Sequence, residues 1–153
     1  MTARRHPDPT LIALGIQQPW AEFILRGLKT IEIRSQPTHI RGTVYVYTSK
    51  RPSTMDAARQ TARFHAIDVD RLPKGVLVGT VDIVDSRPCT AADAGPSLVP
   101  AEWLDQRYAW VLANPRRLRK PLEVRFLPYG VWFYPFRRRT GTEPNPRRRV
   151  NRR

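Results

Sequence analysis

A chain of 153 residues, 41% hydrophobic and 9% aromatic, can fold as one domain around a single core and is too apolar to be disordered. Its net charge of +14, from 27 Lys and Arg against 13 Asp and Glu, marks a basic protein suited to polyanionic partners, phosphate backbones above all. The lone Cys89 excludes an internal disulfide and a thiolate-rich zinc site, and His6, His39 and His65 lack ligand spacing, so neither metal nor cofactor is expected. No apolar run nears the roughly 20 residues of a membrane span, and residues 1–10 lack the apolar segment of a secretory signal. A soluble, cytoplasmic protein without membrane partners is the expectation.

Residues 1–10 read as a flexible N-terminal arm. "TLIALGI" follows as a first strand, and "QQPWAEFILRGLK" as a helix from about Pro19 to Arg26, with Pro19 in the first turn and Gly27 reversing the chain. Ala21, Ile24, Leu25 and Leu28 fall at i, i+3, i+4 and i+7, one apolar face. "TIEIR" is a strand, and "TVYVYTS" is another. "STMDAARQTARFHA" is helical, with Ser53 and Asp56 placed for a capping box. "KGVLVGTVDIVDS" is the longest strand, in which Gly79 marks a bulge or a close approach. After a loop over 87–106, the runs "RYAWVLAN", "PLEVRF" and "GVWFYPF" complete the domain, punctuated by Pro115, Pro121 and Pro128.

About six strands and two main helices without regular alternation predict an α+β, predominantly β fold. A closed or nearly closed β-barrel with flanking helices suits that count better than a doubly wound sheet. The folded unit spans 11–136. Residues 137–153 hold eight Arg and one Glu and read as a disordered Arg-rich tail suited to nonspecific phosphate contact. The tail carries half of the net charge, so the folded part is basic in its own right.

Within "GLKTIEIR", Ile31 and Ile33 face one way while Thr30, Glu32 and Arg34 face the other. Lys29 sits at the helix-to-strand turn and can lean over the same spot. Arg34 offers a planar fork for paired hydrogen bonds and Lys29 a mobile point charge. Glu32 can fix Arg34 or accept from the amino group of a base. The helix start at Pro19 adds backbone N–H groups suited to an anion. Trp20 beside them can stack on a base or fill the core, whereas Trp110 and Trp132 read as core. Tyr45 and Tyr47 share a strand face and could pave a surface, with sheet packing the preferred reading. Ser49, Lys50 and Arg51, ending their strand near a helix start, extend a backbone-binding stripe or are ordinary solvated polar groups. The plain alternative for Glu32 and Arg34 is a structural ion pair, which seldom adds net stability.

The segment "LGIQQPWAEFILRGLKTIEIRS" resembles the opening of ASCH domains, members of the PUA-like β-barrel superfamily. Gly27, Lys29, Glu32 and Arg34 match the Gly-x-Lys-x-x-Glu-x-Arg signature, and Gln18, Pro19, Trp20 and Ala21 match the helix before it. "YAWVLANPRRL" and "YGVWFY" are similar to the closing strands of the family, so the likeness covers about 11–136. The resemblance implies a PUA-like barrel of about six strands and a basic cleft between barrel and helix. That cleft would bind RNA, single-stranded RNA included, or a nucleotide through Gln18, Trp20, Lys29, Glu32, Arg34, Ser49 and Lys50.

A small hydrolase on the same fold is the alternative, in which Lys29 and Glu32 would be catalytic. Some relatives are amidohydrolases of acylated cytidine-type nucleosides that use a lysine, and Lys29 matches it; Glu32, however, stands where those enzymes place a threonine. A carboxylate there would raise the Lys29 pKa unless burial prevails. Asp93, Glu102 and Asp105 are the candidates for the acidic member of such a site. A ribonuclease would use Glu32 as base and Lys29 and Arg34 to stabilise charge, without a positioned histidine to help. A DNA- or protein-binding accessory domain is a third class.

Overall fold

A computed structural model of the chain describes residues 3–138. The Arg-rich tail expected over 137–153 lies outside them apart from Arg137 and Arg138. Six strands form one mixed sheet: β1 (Ala13–Ile16), β2 (Ile31–Arg34), β3 (Gly42–Thr48), β4 (Leu77–Pro88), β5 (Tyr108–Leu122) and β6 (Trp132–Phe133). Their order is β2-β5-β4-β3-β1-β6, with β1 and β3 parallel and every other neighbour antiparallel. No ladder joins β2 to β6, so hydrogen bonding leaves the barrel open. Side chains bridge the opening. Trp110 of β5 stacks on Trp132 of β6 at 5.6 Å between centroids, and Arg34 of β2 donates to the Gly15 carbonyl of β1 at 2.8 Å.

The flanking helices are α1 (Trp20–Leu25), α2 (Asp56–Phe64) and the single turn α3 (Ala94–Ser97). Gly27 ends the α1 turn with φ of +75°, the left-handed conformation that glycine adopts without strain. The helix buries more than one face: Trp20 through Ile24 are all buried, Glu22 included. A Cβ at Gly79 would lie 2.5 Å from both the Arg116 carbonyl and Leu25 Cδ2, so this glycine lets α1 sit down on the sheet. Ser53 does not form the expected capping box. Its hydroxyl accepts from Met55 N–H ahead of the helix, and Met55 takes the N-cap position.

Pro115 does not end a strand as its residue type suggests. Asn114 adopts φ of +51°, and Asn114 and Pro115 together face the single residue Val81, so the prolyl ring rides in a bulge and β5 continues to Leu122. "PLEVRF" is therefore the end of β5 and a loop, not a separate strand. A main core gathers Trp20, Phe23, Trp110 and Trp132 with the inward Val and Ile residues. A second cluster on the other face of β3 holds Tyr45, Tyr47, Leu77 and Phe133. The described part of the N-terminal arm is docked there, since Asp8 N–H donates to the Tyr45 hydroxyl at 2.7 Å and His6 Nδ1 lies 2.7 Å from the same oxygen. No helix among the described residues is long and apolar enough to cross a membrane.

Candidate functional site

A cavity of about 700 Å³ opens where β1, β2 and the end of β3 meet the start of α1 and the loop before β6. Of the residues singled out from the sequence, Trp20, Glu32, Arg34, Ser49 and Lys50 line it. Lys29 lies behind that wall and Gln18 is buried away from it.

Gln18 positions the helix. Its Nε2 donates to the Pro73 carbonyl at 3.1 Å and its Oε1 accepts from Glu22 N–H at 3.0 Å. Ala21 and Phe23 N–H donate to the Gln17 and Pro19 carbonyls. The expected anion site at the helix start is thus already occupied: the amides of residues 21–23 all have partners within the chain.

Lys29 is only 2% exposed. Its ammonium donates to the Ser97 carbonyl at 2.6 Å, sits 4.5 Å from the Trp20 ring centroid and lies 3.8 Å from Glu32 Oε1. Burial lowers its pKa, and the raising influence of Glu32, opposed by Arg34, does not overcome it. Glu32 joins the two cations: one oxygen faces Lys29 and accepts from Ile33 N–H at 3.2 Å, while the other meets Arg34 Nη2 at 3.3 Å. The triplet therefore runs from the interior to the cavity wall, with Lys29 at the sealed end and Arg34 at the open one.

Arg34 commits only Nη2, to the Gly15 carbonyl and Glu32; Nε and Nη1 make no hydrogen bond among the described residues. Trp110 supports the guanidinium from 5.6 Å, and its own Nε1–H donates to the Gln36 carbonyl at 2.9 Å. Farther along the wall stand Ser49 and Lys50, whose side chains also make no hydrogen bond among the described residues. The Lys50 stem lies against Gly75: a Cβ there would be 3.3 Å from Lys50 Cγ and 3.9 Å from the Tyr47 hydroxyl.

Three further contributors line the cavity. Tyr47 packs on Phe133, as sheet packing requires, and also lines the cavity with a hydroxyl that bonds to no described residue. Burial raises its pKa and keeps it a neutral donor. Met55 and the loop Leu127–Val131 supply an apolar lip. Only the turn residues of "LPYG" hinted at that loop, and they carry no sign of what it faces. Among the acidic candidates, Asp93 accepts bidentately from Arg87 at 2.8 Å and from Thr90 N–H, whereas Glu102 and Asp105 are exposed; none lines the cavity.

The family model of the ASCH domain matches residues 14–122. Activating signal cointegrator 1 of Mus musculus is 30% identical over 128 residues, covering 78% of this chain and 21% of that protein. The Homo sapiens protein of the same name is 29% identical with the same coverage. The chain thus spans about a fifth of the length of these relatives. The crystal structure of ASCH from Zymomonas mobilis superposes with a TM-score of 0.56 at 13% identity, covering 83% of this chain and 88% of that one, a likeness of fold alone. With the ASCH model matching residues 14–122, well over half of the chain, the chain belongs to the ASCH domain family.

Proposed function

We propose that this domain binds RNA, or a nucleotide, by receiving one nucleotide unit in the cavity between β1, β2 and α1. The observation that carries the proposal is the free half of the Arg34 guanidinium, held by Gly15, Glu32 and Trp110 and aimed along a cavity of about 700 Å³. That volume falls in the range of small-molecule sites. A fixed planar fork recognises a base edge or a phosphate through paired hydrogen bonds, with little ordering left to pay on binding. Ser49, Lys50 and the Tyr47 hydroxyl supply further donors on the same wall, and Trp20 with the Leu127–Val131 lip supplies apolar surface for a base.

The test is binding of labelled single-stranded RNA to the full chain and to two variants. Truncation after Arg138 should leave cavity binding in place while flattening the salt dependence; Arg34→Ala should weaken it about 30-fold. Binding that is undiminished in Arg34→Ala but vanishes with the tail would overturn the cavity reading.

One observation favours the hydrolase alternative. Burial moves Lys29 toward the neutral amine that a nucleophile must be. Against it, the amine is bonded to Ser97 and does not line the cavity. Incubation with acetylated cytidine separates the two: deacetylation that disappears in Lys29→Ala would make the domain an enzyme.

A further inference from the structure

A second recess, of about 370 Å³, lies at the C-terminal end of β5 and is lined by His6, Leu118, Arg119, Lys120 and Leu122. Its geometry comes from a large break in the β4–β5 ladder. Arg117 pairs with Gly79 and Leu122 with Leu77, so the four residues 118–121 stand opposite Val78 alone. The surplus chain leaves the plane of the sheet and carries Arg119 and Lys120 with it, both exposed. Neither has an ion-pair partner among the described residues, and no carboxylate lines the recess. The nearest acid on the arm, Asp8, is held by Arg4 at 2.7 Å and by Thr10.

His6 completes the recess, and its contact with Tyr45 favours one tautomer. The Tyr45 hydroxyl oxygen accepts from Asp8 N–H, and its remaining neighbour within hydrogen-bond distance among the described residues is His6 Nδ1. With Nδ1 the acceptor within reach of the phenolic proton among the described residues, donation to it places the imidazole proton on Nε2. Burial, aided by Arg4, lowers the His6 pKa and favours this neutral form. Nε2–H is left without a partner among the described residues. The recess thus offers two mobile cations and one fixed neutral donor, with apolar Leu118 and Leu122 beneath.

We infer that this recess is a second anion site, which takes a phosphate group through Arg119, Lys120 and the Nε2–H of His6. Its position suggests the source. Tyr45, which holds His6, and Tyr47, which lines the first cavity, are two residues apart on one face of β3, about 7 Å along the strand. A nucleic-acid strand with one unit in the cavity can lay a neighbouring phosphate here. That assignment of source rests on the nucleic-acid reading of the cavity; the phosphate chemistry of the recess does not.

The experiment follows the ring ¹H–¹⁵N signals of His6 in the full chain during titration with inorganic phosphate and, separately, with oligouridylate. A saturable shift with phosphate alone assigns a free-anion site; a shift with oligouridylate, alone or at lower concentration, assigns a backbone phosphate. Either supports the inference, provided that R119Q/K120Q abolishes the shift. Both substituted residues are exposed, so the fold is retained. In salt titrations of oligouridylate affinity, losing this one contact should lower the log–log slope by about 0.7. No saturable shift with either probe, or a shift that persists in R119Q/K120Q, overturns it. Arg34→Ala keeps the two proposals apart, because it should leave the response of His6 to inorganic phosphate unchanged even as it weakens RNA binding.

Discussion

Two buried glutamates, each placed between two cations, meet opposite fates in this domain. Glu22 on α1 binds Arg26 at 2.7 Å and receives the Arg117 fork at 2.8 and 2.9 Å. Glu32 on β2 stands 3.8 Å from Lys29 and 3.3 Å from Arg34. The first cluster is tight and away from the cavity; it ties α1 to β5. The second is loose, and its outer cation keeps two nitrogens uncommitted at a cavity wall. A carboxylate whose cations turn their donors inward on it builds structure. One that holds its cation from a single side leaves the other side facing the cavity.

The comparison predicts a double dissociation. Arg34→Ala should weaken RNA binding by about 2 kcal/mol, roughly 30-fold, because a charge-assisted paired contact is lost. Its own bonds to Gly15 and Glu32 are few, so unfolding stability should fall by only about 1 kcal/mol. Arg34→Lys keeps the charge without the fork and should recover little of the affinity. Arg117→Ala should do the reverse. Removing one partner of a buried carboxylate is strongly destabilising, but Arg26 remains and Arg117 is half exposed, which reduces the cost to about 2 kcal/mol. RNA affinity should be unchanged. If both variants lose stability and affinity together, the distinction between the clusters fails.

The same two clusters should also respond at opposite ends of the pH scale. Burial alone would push the Glu22 carboxyl up, but Arg117 and Arg26 outweigh it and hold the pKa below the ordinary 4.5. The stabilisation is complete above about 4.5 and is lost as pH falls through the lowered native value, so Glu22→Gln should flatten the acid limb of a stability–pH curve. Lys29 behaves in the reverse sense. Its native pKa lies below the ordinary 10.5, so the folded state binds fewer protons than the unfolded one across the interval between the two. Stability contributed by this group therefore rises with pH through that interval, and the penalty of its burial is fully present below it. Chemical denaturation of wild type and Lys29→Met over the alkaline range should show that rise only in the former.

The signature leading into β2, most of the strands and the Gly27 turn were legible because their cues are local: alternation along a strand, and a glycine that must turn left. What was not legible depends on contacts distant in sequence. Nothing near Glu22 announces Arg117, which reaches it from β5, so this ion-pair cluster has no local signal in the sequence. Lys29 was expected at the cleft with its neighbours, yet the turn that brings Ser97 over it seals it behind Trp20. Gln18 and the helix start promised donors to a ligand; the Gln18 side chain and the Gln17 carbonyl consume those donors locally. Proline misled in the other direction, because a bulge at Asn114 absorbs Pro115 without ending β5.

The smallest effects sharpen the contrast at its exposed margins, where each site has a cation in contact with water. Arg26 is the outer arm of the Glu22 cluster, an i,i+4 pair whose side chain is 43% exposed. Arg26→Ala should cost about 0.5 kcal/mol of stability and leave RNA binding untouched, since exposed pairs contribute little. Lys50 stands exposed on the cavity wall with no carboxylate partner among the described residues. Lys50→Ala should leave stability within about 0.5 kcal/mol and lower RNA affinity a few-fold at low salt. It should also reduce the log–log salt slope by about 0.7, the signature of one phosphate contact on a single strand. A slope identical to wild type would remove Lys50 from the phosphate path and leave Arg34 to bind a neutral base edge.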